Sequence, residues 1–131
     1  MKKDIKIPQV VDVFMAIVHE YNEVYKCFDW NAYIINQQNN SLEMVMIVSK
    51  GFDEQKHTAV MRKTIEHLPA KSFALIEMIP EEVLQLNNEF SVTFFSNKKL
   101  FDKTYLFPKS TVSERTIEMI PFLNRKGIIV F

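Results

Sequence analysis

The residues that could carry chemistry begin with His57, Arg62 and Glu66, which lie within one short stretch of the chain. An enzyme built on these residues would require their side chains to converge in a cleft. Nowhere else does the sequence group a nucleophile, a base and oxyanion donors in a recognisable catalytic pattern. The sequence therefore predicts a protein that is not an enzyme, with no catalytic residue and no cofactor.

Histidines are the next candidates, as metal ligands or as general bases. His57 and His67 would lie roughly 33 Å apart on a straight strand and roughly 15 Å apart along a helix. One metal ion could bind both only if the chain bends between them. His19 and Glu20 are adjacent, so on a strand they point to opposite faces and cannot act together. We expect solvated histidines and no metal site.

The remaining polar candidates indicate ordinary structure. Cys27 would need a neighbouring histidine or a positive field to act as a nucleophile, so we expect a small, half-buried thiol. Asp53 and Glu54 follow Gly51 without the spacing of a calcium loop, and they indicate a turn. Several lysines near residues 98–109 could suit single-stranded nucleic acid, but the aromatic residues between them alternate toward a core.

Composition restricts the class of protein. The chain has 131 residues, of which 47% are hydrophobic, and this suits one globular domain spanning residues 1–131. The 16 basic and 16 acidic residues give a formal net charge of +0, which argues against binding to nucleic acid or to an anionic membrane. The 2 glycines are too few for a Gly-rich phosphate loop or a dinucleotide fingerprint. We find no disulfide pair, signal peptide or membrane-spanning segment, and expect a cytoplasmic location.

Apolar and polar residues alternate over most of the chain, which is typical of β-strands. The first strand, near residues 10–18, is apolar on both faces, so we expect it in the middle of a sheet. The second strand has the apolar face Phe28, Trp30, Ala32 and Ile34, and the third has Leu42, Met44, Met46 and Val48. The polar residues 37–40 between them predict a hairpin in which Ile34 faces Leu42.

The segment 57–68 permits two interpretations. Its alternation suits a strand, but Val60, Met61, Thr64, Ile65 and Leu68 would also form a helical stripe. We favour a strand because strands are predicted on both sides. A fifth strand follows at 72–79, and the proline and acids of 80–84 predict one helical turn.

The clearest feature is a second hairpin that turns at Asn97 and Lys98. This turn pairs Phe94 with Phe101 and Phe90 with Tyr105. Both pairs place large aromatic residues on one side, and they predict the core face of two neighbouring strands. Lys103, opposite Val92, is the exception, and a lysine at a strand edge discourages aggregation.

The chain ends in four apolar residues, Ile128, Ile129, Val130 and Phe131. Because an apolar terminus avoids water, we expect this segment to add a strand to a sheet edge, in the same molecule or in a neighbour. We therefore interpret residues 108–131 as a C-terminal extension and residues 10–107 as the main fold.

About seven strands with short polar connections, and at most one short helix, predict an all-β fold, an antiparallel immunoglobulin-like β-sandwich. Residues 68–75 (LPAKSFAL) resemble the turn and strand before the last hairpin of immunoglobulin-like or fibronectin-like bacterial modules. Residues 86–92 (LNNEFSV) resemble their tyrosine-corner region. Phe90 stands in the place of the corner tyrosine, so the hydrogen bond of that hydroxyl is missing.

More narrowly, the chain is similar to small, uncharacterised bacterial all-β proteins. They share a tryptophan like Trp30 followed by YIIN at 33–36, and NEF at 88–90 followed by an aromatic hairpin. Some of those proteins carry a phenylalanine–tRNA synthetase alpha-subunit name. The residues here do not support that activity, because a class II synthetase core needs an arginine-bearing motif and a Gly-rich motif around ATP.

These observations lead to three functional hypotheses. The leading one is a protein-interaction module that binds a protein partner or itself, as a homodimer formed by strand addition through 128–131. The alternative is a small-ligand carrier with a cavity lined by Trp30, Phe90, Phe94 and Tyr105. The third is the enzyme considered first.

Overall fold

Nine strands form two antiparallel sheets in the computed structural model, which describes residues 8–131. The strands are β1 (Val13–Asn22), β2 (Cys27–Asn36), β3 (Leu42–Phe52), β4 (Met61–Leu68), β5 (Ser72–Ile79), β6 (Asn87–Ser96), β7 (Lys99–Phe107), β8 (Glu118–Ile120) and β9 (Arg125–Val130). The five-stranded sheet has the order β5-β2-β1-β9-β8, and the four-stranded sheet has the order β4-β3-β6-β7. The prediction of an all-β fold is confirmed. Within the described part, a 3-10 turn at Glu81–Gln85 is the helical element, and no helix could cross a membrane.

A continuous apolar core lies between the two sheets, because alternate residues of the central strands point inward. Its largest fully buried side chains include Tyr105, Phe90, Phe94, Phe107, Met15 and Ile17. Trp30, Ala32 and Ile34 of β2 meet this core from the five-stranded sheet. The expected apolar face of β2 is therefore correct, except that Phe28 is exposed.

Strand β1 is buried on both of its faces, as its sequence predicts. It lies between β2 and β9, and its inward residues join the main core. Its outward residues Ala16 and Val18 belong to a second apolar cluster with Tyr33 and Ile35 of β2, which Ile120 and Leu123 cover. The C-terminal region thus packs over the outer face of the five-stranded sheet.

The apolar C-terminal segment forms β9, which pairs with β1 of the same chain. Ile128 lies opposite Ile17, and Val130 lies opposite Met15. The other side of β9 pairs with β8 over residues 125–127, and in the described part of the chain no strand pairs with that side of residues 128–130. Phe131 follows the strand and packs edge-on against Phe14, with ring centroids 4.9 Å apart.

The hairpin predicted between β2 and β3 is wrong. These strands belong to different sheets, and the connection between them crosses from one sheet to the other. The apolar side chains of β2 and β3 point into the same core from the two opposing sheets. Each strand therefore alternates apolar and polar residues, as the two strands of a hairpin would. The buried Asn36 amide fixes the crossing by donating to the carbonyl oxygens of Asn40, Leu68 and Pro69.

The predicted apolar face of β3 is correct at Leu42 and wrong at Met44, Met46 and Val48, which do not join the core. Met44 has a positive φ of 48°, and the pairing of β3 with β6 shifts register between Glu43 and Met46. This irregularity interrupts the period-two alternation. As a result Val45 and Ile47 enter the core, whereas Met44 and Met46 are exposed.

Two other local predictions are confirmed. The ambiguous segment forms strand β4, Met61–Leu68. The last hairpin turns at Asn97 and Lys98, and it pairs Phe94 with Phe101 and Phe90 with Tyr105. Both turn residues have positive φ, as in the type I′ turns that suit twisted hairpins.

Candidate functional site

The polar residues singled out first lie apart on the surface. His57, Arg62 and Glu66 are all exposed, and within residues 8–131 no hydrogen bond or ion pair joins any two of them. His57 and Arg62 line two different surface grooves. The structure does not bring these three side chains together in a cleft.

The other histidines have separate partners. His67 lies 2.7 Å from the carboxylate of Glu43 on the neighbouring strand, and both side chains are exposed. His19 lies 3.8 Å from the carboxylate of Glu114, and its ring stacks on Trp30 at 4.2 Å between centroids. In the described part of the chain, no three His, Cys, Asp or Glu side chains are grouped as metal ligands.

Cys27 differs from its expected environment, because its thiol is exposed rather than half-buried. It begins β2 beside a hairpin turn, and its Sγ lies 3.9 Å from the carboxylate of Asp29. A carboxylate provides no positive field for a thiolate. This contact therefore does not activate the thiol as a nucleophile.

The aromatic residues of the proposed ligand cavity are packed in the core. Phe94 stacks on Phe101 with centroids 5.3 Å apart, and Phe90 meets Phe107 edge-on at 5.8 Å. Trp30 is buried with them. None of these side chains lines either of the grooves described next.

Free sheet edges are the other candidate sites, and three of the four are protected. The edge strands are β4, β5, β7 and β8. Two of these strands contain several charged residues: Arg62, Lys63 and Glu66, with His67, in β4 and Lys99, Asp102 and Lys103 in β7. Strand β8 is short, with 3 residues. Charge and shortness are the usual means of preventing an edge from pairing with another chain.

Strand β5 differs from the other edges because seven of its eight residues, SFALIEMI, are uncharged. On its outer face Phe73, Leu75 and Met78 remain 39%, 47% and 57% exposed. Strand β5 contains a bulge where it pairs with β2. Ala32 lies opposite Glu77 and Tyr33 lies opposite Leu75. Ile76, between Leu75 and Glu77, is therefore the extra residue of the bulge. The half of the edge before the bulge carries no charge.

Two adjoining grooves open beside the β5 edge, between β5 and the strands β3 and β4. The first has a volume of about 290 Å³ and the second about 370 Å³. Ser49, Met61 and Glu77 line both, and together we call them the β4–β5 groove. The apolar lining is completed by Ala59, Met78, Ile79, Pro80 and Val83 in the first and by Ile47 and Ile76 in the second.

The charges around the β4–β5 groove are arranged unevenly. Glu77 is half-buried and makes no ion pair or hydrogen bond with any side chain of residues 8–131. Lys50, on the rim, is instead 3.4 Å from Glu89. Arg62 and Lys63 lie on the opposite wall, on β4. The groove therefore has a largely apolar lining with one acidic residue, Glu77, and three basic residues around it.

The outer face next to β5 contains a fixed polar cluster. The Tyr33 hydroxyl donates to the Glu20 carboxylate at 2.8 Å, and the Arg125 guanidinium lies 5.2 Å from the Tyr33 ring centroid and 5.3 Å from that of Phe73. Burial, and then the hydrogen bond to Glu20, raise the pKa of Tyr33 to about 12. These contacts hold Arg125 and Phe73 in place beside the edge.

The tip of the β1–β2 hairpin is a second exposed apolar surface. Val24 and Tyr25 are 82% and 77% exposed. The side-chain oxygen of Asn22 accepts hydrogen bonds from the backbone amides of both residues, at 2.9 and 3.1 Å. These bonds fix the turn, so the tip presents two large exposed apolar side chains.

Comparison with models of known protein families gives no match, and comparison with curated proteins gives none either. The β5 edge was not predicted from sequence, because apolar residues on both faces also suit a central strand. The signal that distinguishes it, an edge without charge, becomes visible only when the strand order is known.

Proposed function

We propose that this protein is a non-enzymatic, immunoglobulin-like β-sandwich that binds an extended segment of a partner protein by strand addition at β5. The observation that carries the proposal is the uncharged β5 edge, which opens directly onto the β4–β5 groove. In strand addition, main-chain hydrogen bonds supply affinity and pockets for alternate side chains supply specificity. Here the edge and the pockets occur together.

The order of strands supports the immunoglobulin-like assignment. In a constant-type immunoglobulin sandwich, strands A, B, E and D form one sheet and C, F and G form the other. If β1, β2, β3, β5, β6 and β7 are taken as A, B, C, E, F and G, the neighbours A-B-E and C-F-G agree with this arrangement, whereas the first sheet has no strand D and has β9 and β8 added beyond A. The fourth strand, β4, pairs with β3 and not with β5, which leaves the β5 edge free.

An added strand would have a defined environment on each of its faces. Its outward side chains would lie beside Phe73, Leu75 and Met78, and its inward side chains would enter the β4–β5 groove. Strand β5 has 8 residues, which span roughly 26 Å at about 3.3 Å per residue. Each large aliphatic side chain that becomes fully buried would contribute about 1.5–3 kcal/mol before the cost of ordering the segment.

The C-terminal residues are less suitable for binding a partner. Ile128, Ile129 and Val130 pair with β1 of the same chain on one side, so only their other side could accept a partner strand. Phe131 packs on Phe14. We therefore propose strand addition at β5 and not at this segment. We also propose a cytoplasmic location, where an exposed thiol such as Cys27 stays reduced.

Selection of peptides tests this function. A displayed library of random 12-residue peptides is selected on the full chain, and the dissociation constants of the enriched peptides are measured. We expect alternating apolar sequences whose binding weakens at least tenfold in Leu75→Lys, because a lysine on the outer face of the edge opposes an apolar strand. Leu100→Lys, on the equally exposed outer face of β7, is the matched control. Equal binding by both variants, or no enriched peptide, would contradict the proposal.

A further inference from the structure

We infer that the segment bound at β5 places one aromatic side chain in the first part of the β4–β5 groove. The inference rests on the proposed function, because it specifies the chemistry of the added strand. This part of the groove has a volume of about 290 Å³ and is lined by residues from both sheets. It can therefore enclose a side chain that enters from the edge.

An added strand would point one of its residues into this part of the groove. Ile79 lines it, pairs with Trp30 and is buried with Trp30 in the core. Because side chains opposite each other on neighbouring strands point to the same face, the added residue beside Ile79 would also point between the sheets. Its side chain would then lie among Ala59, Pro80 and Val83.

Three of the polar side chains in this lining already have partners within the chain. The Thr58 hydroxyl both accepts and donates a backbone hydrogen bond, the Asn88 amide donates to two backbone carbonyl oxygens, and the Lys50 ammonium lies 3.4 Å from the Glu89 carboxylate. Glu77 lies where the two parts of the groove meet, with the basic residues of the second part. A polar side chain entering the first part would lose water and find few free partners, so an apolar side chain is favoured.

The size of this part favours an aromatic ring over an aliphatic side chain. A cavity of about 150 Å³ already holds a benzene molecule, so a volume of about 290 Å³ has room for the ring of phenylalanine, tyrosine or tryptophan. A leucine or isoleucine side chain is smaller and would leave more of the space empty. Unfilled space weakens binding because the lining atoms lose their packing contacts.

Two methionines at this part of the groove also suit an aromatic side chain. Met61 and Met78 line it, and they are 55% and 57% exposed. A thioether sulfur makes favourable contacts with the edge of an aromatic ring, and a flexible methionine adapts to the shape of the group that it meets. A ring entering between the sheets would therefore cover two apolar side chains that are now in water.

A second copy of the chain does not supply this residue. Phe73 is the single aromatic residue of β5, and it lies on the outer face. Pairing of two β5 strands in one continuous sheet would present inward residues of the copy such as Ala74 and Ile79, neither of which is aromatic. This part of the groove therefore favours a different chain with an aromatic residue at an inward position.

Exchange of the aromatic residue tests the inference. The library selection described above should enrich phenylalanine, tyrosine or tryptophan at one position of the alternating peptides. The best peptide is then synthesised with leucine and with alanine at that position. We expect the alanine peptide to bind the wild-type chain about tenfold more weakly, as for a buried aromatic anchor of an interface, and the leucine peptide to fall between the two. A leucine peptide that binds as tightly as the aromatic one would overturn the inference.

Variants of the protein locate the ring. Ala59→Trp should fill the first part of the groove and weaken the aromatic peptide to the affinity of the alanine peptide, which should itself change little. Val60→Trp, at the adjacent exposed position that lines neither part of the groove, is the matched control and should leave the order of the three peptides unchanged. Thermal melting shows whether each variant is folded.

Nuclear Overhauser effects on the wild-type complex give the result even where a variant does not fold. The ring protons of the bound peptide should show these effects to the methyl groups of Ala59, Met61 and Val83. Their absence from a saturated complex would overturn the placement of the ring.

The outcomes separate this inference from the function on which it rests. Alternating peptides without an aromatic residue that bind as well as aromatic ones, and that lose binding in Leu75→Lys, would overturn the requirement for a ring and leave strand addition intact. Binding that is unaffected by Leu75→Lys, or the absence of binding peptides, would overturn strand addition at β5 and the inference with it. A dimer of the wild-type chain that Leu75→Lys dissociates would show a second copy at the edge, and would overturn the inference.

Discussion

The hydroxyl group of Tyr105 donates a 2.6 Å hydrogen bond to the backbone carbonyl oxygen of Val13. This bond joins β7 of one sheet to β1 of the other, and both residues are almost completely buried. Burial raises the pKa of Tyr105 well above its usual range, so the hydroxyl remains protonated and able to donate. A tyrosine thus ties the sheets together, although Phe90 occupies the position where the sequence resemblance places a corner tyrosine.

Replacing Tyr105 with phenylalanine should lower the free energy of unfolding by about 1–3 kcal/mol, because the buried carbonyl of Val13 loses its donor. Urea denaturation measures the change. Tyr21→Phe, at an exposed position, is the control and should be nearly neutral. Equal stability of Tyr105→Phe and the wild type would show that the bond contributes nothing net.

The hairpin at Asn97 and Lys98 was predictable in full because its information is local. The alternation of two adjacent segments and the turn between them fix one register. Likewise, the apolar residues on both faces of β1 indicated a central strand.

The long-range arrangement was not predictable from the same kind of pattern. Strands β2 and β3 alternate as a hairpin would, yet they bury their apolar faces from opposite sheets. The irregularity at Met44 moved the face of β3 without a glycine or proline to signal it. The β5 edge could be identified as a site only after β4 was placed against β3, because the sequence of β5 is that of a buried strand.

The contact of Gly127 with β1 predicts a large effect of a single methyl group. A Cβ atom at Gly127 would lie 2.4 Å from the carbonyl oxygen of Ile17. We expect Gly127→Ala to displace β9 and to cost about 1–3 kcal/mol of stability. Amide exchange of Ile17 and Val18 should become faster. Gly51→Ala, where a Cβ would meet side-chain ends at 3.1 and 3.2 Å, should have a smaller effect; a reversed ranking would contradict this packing.

The positive φ of Met44 predicts a stabilising substitution. Left-handed backbone costs a residue with a side chain roughly 1–2 kcal/mol, and glycine avoids this cost. Since the Met44 side chain is exposed, Met44→Gly should raise the midpoint of thermal unfolding. Met46→Gly, at a neighbouring exposed position, should lower this midpoint. A glycine in an extended strand loses more backbone entropy on folding and has no side chain to pack. A lower midpoint for both variants would argue against the conformation of Met44.

The raised pKa of Tyr33 predicts a loss of stability at high pH. The neutral phenol is favoured in the folded protein, where the pKa of Tyr33 is about 12 instead of its ordinary value of 10.0. Its contribution is therefore complete below pH 10 and is lost as the pH rises from about 10 toward 12. Urea unfolding at several pH values should show a smaller decline over this range in Tyr33→Phe than in the wild type. Parallel declines would show that Tyr33 titrates normally in the folded state.

Amide hydrogen exchange of the full chain, with and without a peptide selected from the library, tests strand addition most directly. Strand addition at β5 predicts slower exchange within Ser72–Ile79 when the peptide is bound, and unchanged exchange in the control edge β7, Lys99–Phe107. Protection confined to the hairpin tip at Val24 and Tyr25, or to the C-terminal residues 128–131, would contradict the account.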